Sequence, residues 1–177
     1  MGVKNKGKVN LRHCEARGII TLHQQIKDLK ASWVRDLLRE SRLGHLATSN
    51  RSRVPLVVPI CYVFHEGAIY SPIDEKPKRR EPEDLRRIMN IRANPNVCVV
   101  IDHYEENWSQ LRFVIIHGKA EVIQSGEDHQ QAIAQLRKKY SQYRSMNLQT
   151  RPVIKIVPTR IKTWNSDFES RHTKRLK

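Results

Sequence analysis

Glycine is scarce, with 7 in 177 residues, and none is grouped in the spacing that lets backbone wrap a pyrophosphate. A Walker loop and a dinucleotide-binding glycine cradle are therefore excluded, and any phosphate must be met by side chains. Aromatic residues make up only 6% of the chain. Cysteine occurs three times, at Cys14, Cys61 and Cys98, an odd number at wide spacing, which excludes a disulfide framework and fits a reducing cytoplasm. No apolar run approaches the roughly 20 residues needed to cross a bilayer, and the opening residues MGVKNKGKVNLRH lack the apolar segment of a signal peptide. The expectation is a cytoplasmic protein that makes no use of a membrane. Catalytic constellations are missing too. No Gly-x-Ser-x-Gly elbow occurs, and the eight histidines show no i, i+4 pair and no cysteine at ligand spacing, so neither a hydrolase nor a built-in zinc site is expected.

What the chain does carry is positive charge. Its 33 Lys and Arg against 18 Asp and Glu give a net charge of +15, which draws anions over a Debye length of roughly 8 Å. Candidate partners are phosphorylated or polycarboxylate small molecules, nucleic acid, or acidic headgroups. The length fits one domain with one core. We read residues 1–18 as a basic N-terminal arm, 19–164 as the folded domain and 165–177 as a basic C-terminal tail.

Within the domain, Trp33, Val34, Leu37 and Leu38 recur on one helical face, predicting an amphipathic helix over 31–41. Strand-like runs follow at 43–49, 54–64 and 68–72, separated by polar turns, and read as a three-stranded meander. Pro55 and Pro59 remove ladder donors from the second run, which predicts an edge, bulge or bend there. The charged, proline-punctuated stretch 73–83 reads as a loop, with Glu81, Pro82 and Glu83 suited to a helix's first turn. Leu85, Ile88, Met89 and Arg92 continue at helical spacing until Asn94-Pro95. Two further strands span 97–104, apolar on both faces and so central, and 110–123. Ser125 to Asp128 resembles a capping box opening a helix with Ala132, Ile133, Leu136 and Tyr140 buried, and a last strand runs over 153–164. Six strands with three inserted helices predict a mainly β fold, an antiparallel barrel with helical decorations rather than a parallel sheet.

The densest cationic cluster is Lys76, Lys78, Arg79 and Arg80, followed by Arg86 and Arg87 in the first turns of a helix, where side chains and backbone amides can converge on one anion. Around it lie Leu46-Ala47-Thr48, Pro55 and Pro59, Asp74-Glu75-Lys76-Pro77-Lys78, the stretch 85–95, Asp102-His103-Tyr104, Trp108, Gly118-Lys119-Ala120 and Trp164. In this order, over about residues 41–164, these pieces resemble the pyridoxamine 5'-phosphate oxidase-like, FMN-binding split barrels, and more closely the branch of coenzyme F420-dependent enzymes.

The resemblance implies a six-stranded split β-barrel and a homodimer, with each cofactor in the groove between two barrels. By position it implies that Thr48, Pro59 and Cys61 line the cofactor ring and that Lys76, Lys78, Arg79 and Arg87 hold its phosphate. Arg87 stands where a lysine is common in the wider superfamily. The implied activity is an oxidoreductase that uses F420 to move hydride to or from a small organic substrate, with FMN as the alternative cofactor. Such a cofactor carries the difficult chemistry itself, which accounts for the missing acid–base constellation. The basic arm and tail exceed what a small cofactor needs, so two other readings stay open: a nucleic-acid-binding barrel acting through its arms, and a haem-handling barrel with His172 as axial ligand.

Overall fold

The computed structural model describes Leu29, residues 31–74 and residues 84–166. Its elements in chain order are α1 (Ser32–Glu40), β1 (Gly44–Ser49), β2 (Pro55–Ile60), β3 (Val63–His65), β4 (Ala68–Pro72), α2 (Arg86–Ala93), β5 (Asn96–His103), β6 (Arg112–Ile123), α3 (Glu127–Lys139) and β7 (Val153–Asn165). The seven strands form one sheet in the order β2-β1-β5-β6-β7-β4-β3, with every neighbouring pair antiparallel. Its two edge strands, β2 and β3, are separated in sequence only by Cys61 and Tyr62. A chain can join opposite edges through two residues only if the sheet curls, and the sheet is a half-barrel.

The sixfold strand count and the meander are corrected here. The run read as one strand over 54–64 is two strands: β2 pairs with β1, and β3 pairs with β4 on the far edge. Between them the backbone leaves the ladder at Tyr62, where a side chain replaces the sheet partner. Tyr62 N donates to the Tyr140 hydroxyl at 3.0 Å, and that hydroxyl lies 2.8 Å from Tyr62 O and 2.9 Å from Arg42 O. With its main-chain groups satisfied in this way, the strand can break without a buried, unpaired amide. Pro55 and Pro59 do fall on an edge strand, as their missing donors require.

Inside the curl, Leu46, Val99, Ile101, Val114, Ile116, Ile154 and Ile156 form the main core. Helix α1 contributes Val34, Leu37 and Leu38 to it, and α2 contributes Ile88 and Ile91. The Tyr62 hydroxyl donates to Leu38 O at 3.0 Å, and Tyr62 packs beside Gly44, so α1 closes the end nearest the start of β1. At the other end Asn90 of α2 and Asn94, the residue that follows it, donate to Thr48 and Ser49. A second cluster lies on the outer surface, where Ala132, Ile133, Leu136 and Tyr140 of α3 and its C-terminal extension cover Val63, Ala68, Tyr70 and Val153. That stripe is the one its helical spacing predicts. The capping box is not formed: the residue before α3 is Gly126, with φ of 95° and no side-chain cap, a backbone conformation that glycine adopts at little cost.

Among the described residues, no helix covers the rest of the outer surface. Strand register sets Val57, Ala47, Cys98, His117 and Arg160 in one row across β2, β1, β5, β6 and β7, and Pro59, His45, Val100, Ile115 and Lys162 in the next. Val57 is 60% exposed and Val157 47%. β5 reads as apolar on both faces because it is so, but only Val97, Val99 and Ile101 are buried within this chain, while Cys98 and Val100 are left half-buried. Val57, Cys98 and Val100 thus leave apolar surface exposed in rows that also carry His45, His117, Arg160 and Lys162.

Candidate functional site

Where the helix-covered and open parts of the outer surface meet, a cavity of about 270 Å³ is lined by Arg42, Cys61, Tyr140, Gln142, Tyr143 and Met146. Each wall has a local cause. Cys61 occupies the break between β2 and β3, so its side chain is released from the ladder and reaches the cavity. Tyr140 is the residue after α3 and Tyr143 lies in the short 3-10 turn Ser141–Arg144 that follows. The Arg42 guanidinium lies 4.8 Å from the centre of the Tyr140 ring, a cation–π contact that aims positive charge at the cavity mouth.

The polar groups here hold their protons firmly. Burial, then hydrogen bonding to Cys61, pushes the Tyr143 phenol far above its usual range, and the same hydroxyl donates to Asp74 Oδ2 at 3.3 Å. Burial likewise pushes Tyr140 up to about 12. Both phenols are neutral donors at physiological pH, and neither acts as a base. Lys139 behaves in the opposite sense: burial, then the like charge of Arg42, brings its ammonium down to about 8.

Asp74 is the last described residue before the segment 75–83, and α2 begins soon after that segment at Arg86. Arg87 is half-buried, and burial lowers its guanidinium's pKa while Asp74 opposes the shift. The described residues on either side of 75–83 are thereby placed: Asp74 beside Tyr143 in the cavity wall, and Arg86 and Arg87 in the first turn of a helix whose free amides favour an anion.

The residues singled out in sequence separate as follows. Cys61 lines the cavity, and Pro59 lies on the open face of β2 two residues away. Arg87 stands at the start of α2. Thr48 points into the barrel: it is 3% exposed and its hydroxyl accepts from Asn90 Nδ2 at 3.0 Å. Lys76, Lys78 and Arg79 lie outside the described residues, as do residues 81–83, the arm 1–18 and His172. Replacing Thr48 with valine is expected to cost about 1–2 kcal/mol in denaturant unfolding, because the buried Asn90 amide loses its acceptor. Arg42, Tyr140 and Tyr143 had no separate signal in sequence, since Tyr140 reads only as one more apolar position of a helical stripe. Trp164 stacks on Phe113, with ring centres 5.5 Å apart, and Trp108 is 68% exposed. Neither lines the cavity. Among the described residues no cluster of His, Cys, Asp and Glu could hold a metal, and no helix is long and apolar enough to cross a membrane.

A curled antiparallel sheet with a helix at each end, a cavity at the break between its edge strands and an uncovered face beside it define a split-barrel protein. The sequence profile of pyridoxamine 5'-phosphate oxidase matches residues 33–165, and the chain belongs to that family. No curated protein matches the sequence. Among solved structures, it is similar to a conserved hypothetical protein of Mycobacterium tuberculosis, at 19% identity and a TM-score of 0.66, over 80% of this chain and 88% of that one. The haem-storage protein of Vibrio cholerae aligns at 16% identity and 0.58, over 75% and 91% of the two chains. A structure named as an F420 reductase aligns at 18% and 0.54, over 72% and 94%. At these identities the likeness is one of fold.

Proposed function

We propose that this protein is a cytoplasmic, homodimeric oxidoreductase that binds the deazaflavin coenzyme F420 and acts on a small organic substrate. The observation that carries the reading is the cavity at Cys61, beside an outer face that no described helix covers, with Asp74, the residue before the basic segment 75–83, hydrogen-bonded to Tyr143 in its wall. Ligand pockets usually enclose about 300–1,000 Å³, so about 270 Å³ in one chain is a part-site that a second barrel on the open face would complete. Its walls suit a flat, anionic group: two aromatic rings, a thiol and an apolar Met146, with the Arg42 guanidinium for charge.

The chemistry such a cofactor supplies is hydride transfer at its ring. The chain's own residues bind and orient it. Pro59 and Cys61 form the ring wall, Lys76, Lys78, Arg79 and Arg87 neutralise the phosphate, and the docked second face excludes water. The excess of basic residues favours the longer polyanionic tail of F420 over FMN.

The test is a fluorescence titration with F420 and, separately, FMN at low and moderate salt. Micromolar, salt-sensitive F420 binding with weak FMN binding is expected, and Arg87→Ala should weaken it about tenfold. Tighter FMN binding would move the protein to flavin chemistry, and binding of neither would end the reading. The dimer is tested apart. Val57→Glu puts a charge on the open face without entering the core, and sedimentation should show a monomer where the unmodified chain is a dimer. A monomeric unmodified chain would refute this arrangement.

A further inference from the structure

A second cavity lies between α1, β3 and α3, next to the first but lined by other residues. It encloses about 410 Å³ among Arg39, Val63, Phe64, Gln135, Lys138 and Lys139. Val63 and Phe64 make an apolar floor, and the rim is cationic. Arg39 is already paired with Asp36 at 2.8 Å and Glu40 at 3.2 Å, which leaves Lys138 and Lys139 as the lining cations without a described carboxylate partner.

Lys139 is poorly compensated among the described residues. Its ammonium lies 4.1 Å from the centre of the Tyr62 ring and 5.6 Å from that of Tyr140, and its hydrogen bond is a long one of 3.4 Å to Leu38 O. It makes no ion pair with a described carboxylate. A half-buried cation held against ring faces and a single carbonyl retains donor capacity. Its lowered pKa, to about 8 through burial and Arg42, is what an ammonium shows when desolvated without a counter-charge.

We infer that the cavity between α1, β3 and α3 is a binding site for a small organic anion, an acidic head on an apolar body, with Lys138 and Lys139 meeting the head and Val63 and Phe64 the body. The amide of Gln135 supplies a neutral donor between them. Bare phosphate satisfies only the lysines, and a neutral aromatic satisfies only the floor, so the site requires both parts in one molecule. None of these residues belongs to the proposed cofactor site, and the two readings can fail independently.

The experiment is calorimetric titration of the full chain with phenyl phosphate, inorganic phosphate and benzyl alcohol. Phenyl phosphate should saturate about tenfold or more tighter than inorganic phosphate, since burying the ring adds to the charge contact, and benzyl alcohol should not saturate. The Gln135→Glu, Lys138→Glu double variant changes only rim residues outside the core, so its thermal midpoint should stay put while phenyl phosphate affinity falls about tenfold or more. Arg51→Glu, in the turn between β1 and β2, makes a charge reversal away from the cavity and should alter affinity less than about twofold. Equal affinity for the two phosphates, equal losses in both variants, or no binding would overturn the site in favour of general attraction to a strongly basic protein.

Discussion

Gly118→Val is expected to leave little folded protein, with a loss of at least about 3 kcal/mol in whatever fraction can be refolded and measured in denaturant. A Cβ at Gly118 would lie 2.7 Å from Val157 O and 2.8 Å from Ile156 Cγ2. The first of these is main chain on the neighbouring strand and cannot rotate away. The close approach comes from a β-bulge. His117 pairs with Arg160 but Gly118 pairs with Pro158, so Thr159 is the extra residue, and its hydroxyl donates to His117 O at 3.2 Å. The bulge bends β6 and β7 together where the half-barrel curls, and Pro158 is tolerated because β4 pairs only with Val153–Ile156 of β7. A Gly118→Ala variant should show the same defect in milder form. If Gly118→Val were as stable as the unmodified protein, the close strand approach would be wrong.

Tyr140→Phe should cost about 2–3 kcal/mol while keeping ring volume and packing, because one hydroxyl holds the break between β2 and β3 together. Without it, Tyr62 N–H is buried without an acceptor, and Tyr62 O and Arg42 O lose their shared donor. Urea unfolding with an unchanged slope and a lower midpoint is the expected reading. The same hydroxyl sets an alkaline limit. With the phenol raised from 10.0 in the unfolded chain to about 12, its stabilisation is complete below pH 10 and is lost as pH rises towards 12. Tyr140→Phe should therefore narrow its stability gap to the unmodified chain over that window.

These two positions show where sequence reasoning reached and where it stopped. The helical stripes of α1 and α3 were legible because a 3.6-residue apolar period is a local property, and Val34, Leu37, Leu38, Ala132, Ile133 and Leu136 are buried as that period requires. Gly118 was legible as one piece of a family pattern, but not as the site where Val157 O closes in. The split of residues 54–64 into two strands left no local trace. Cys61 and Tyr62 read as more of an apolar run, and only Tyr140, 78 residues further on, explains why the ladder can stop there.

The candidate site divides in the same way. Cys61, Pro59 and Arg87 are named from their order in a family pattern, and a phosphate-holding role for the basic segment is what that resemblance implies, not what its charge alone shows. Thr48 could not be placed on one face of β1 by sequence, since Ala47 and Thr48 are equally compatible with either side until register is known, and pairing of Thr48 with Leu56 and Asn90 turns it inward. Arg42, Tyr143 and Asp74 meet only because α3 lies across the β3–β4 edge. The sequence by itself determined the charge, the helical faces, the absence of a glycine cradle and the antiparallel β class, all properties of neighbouring residues or of composition. Strand order, the two edges brought together at Tyr62, the uncovered face and both cavities were decided by tertiary structure, because each depends on contacts between segments that share no local pattern.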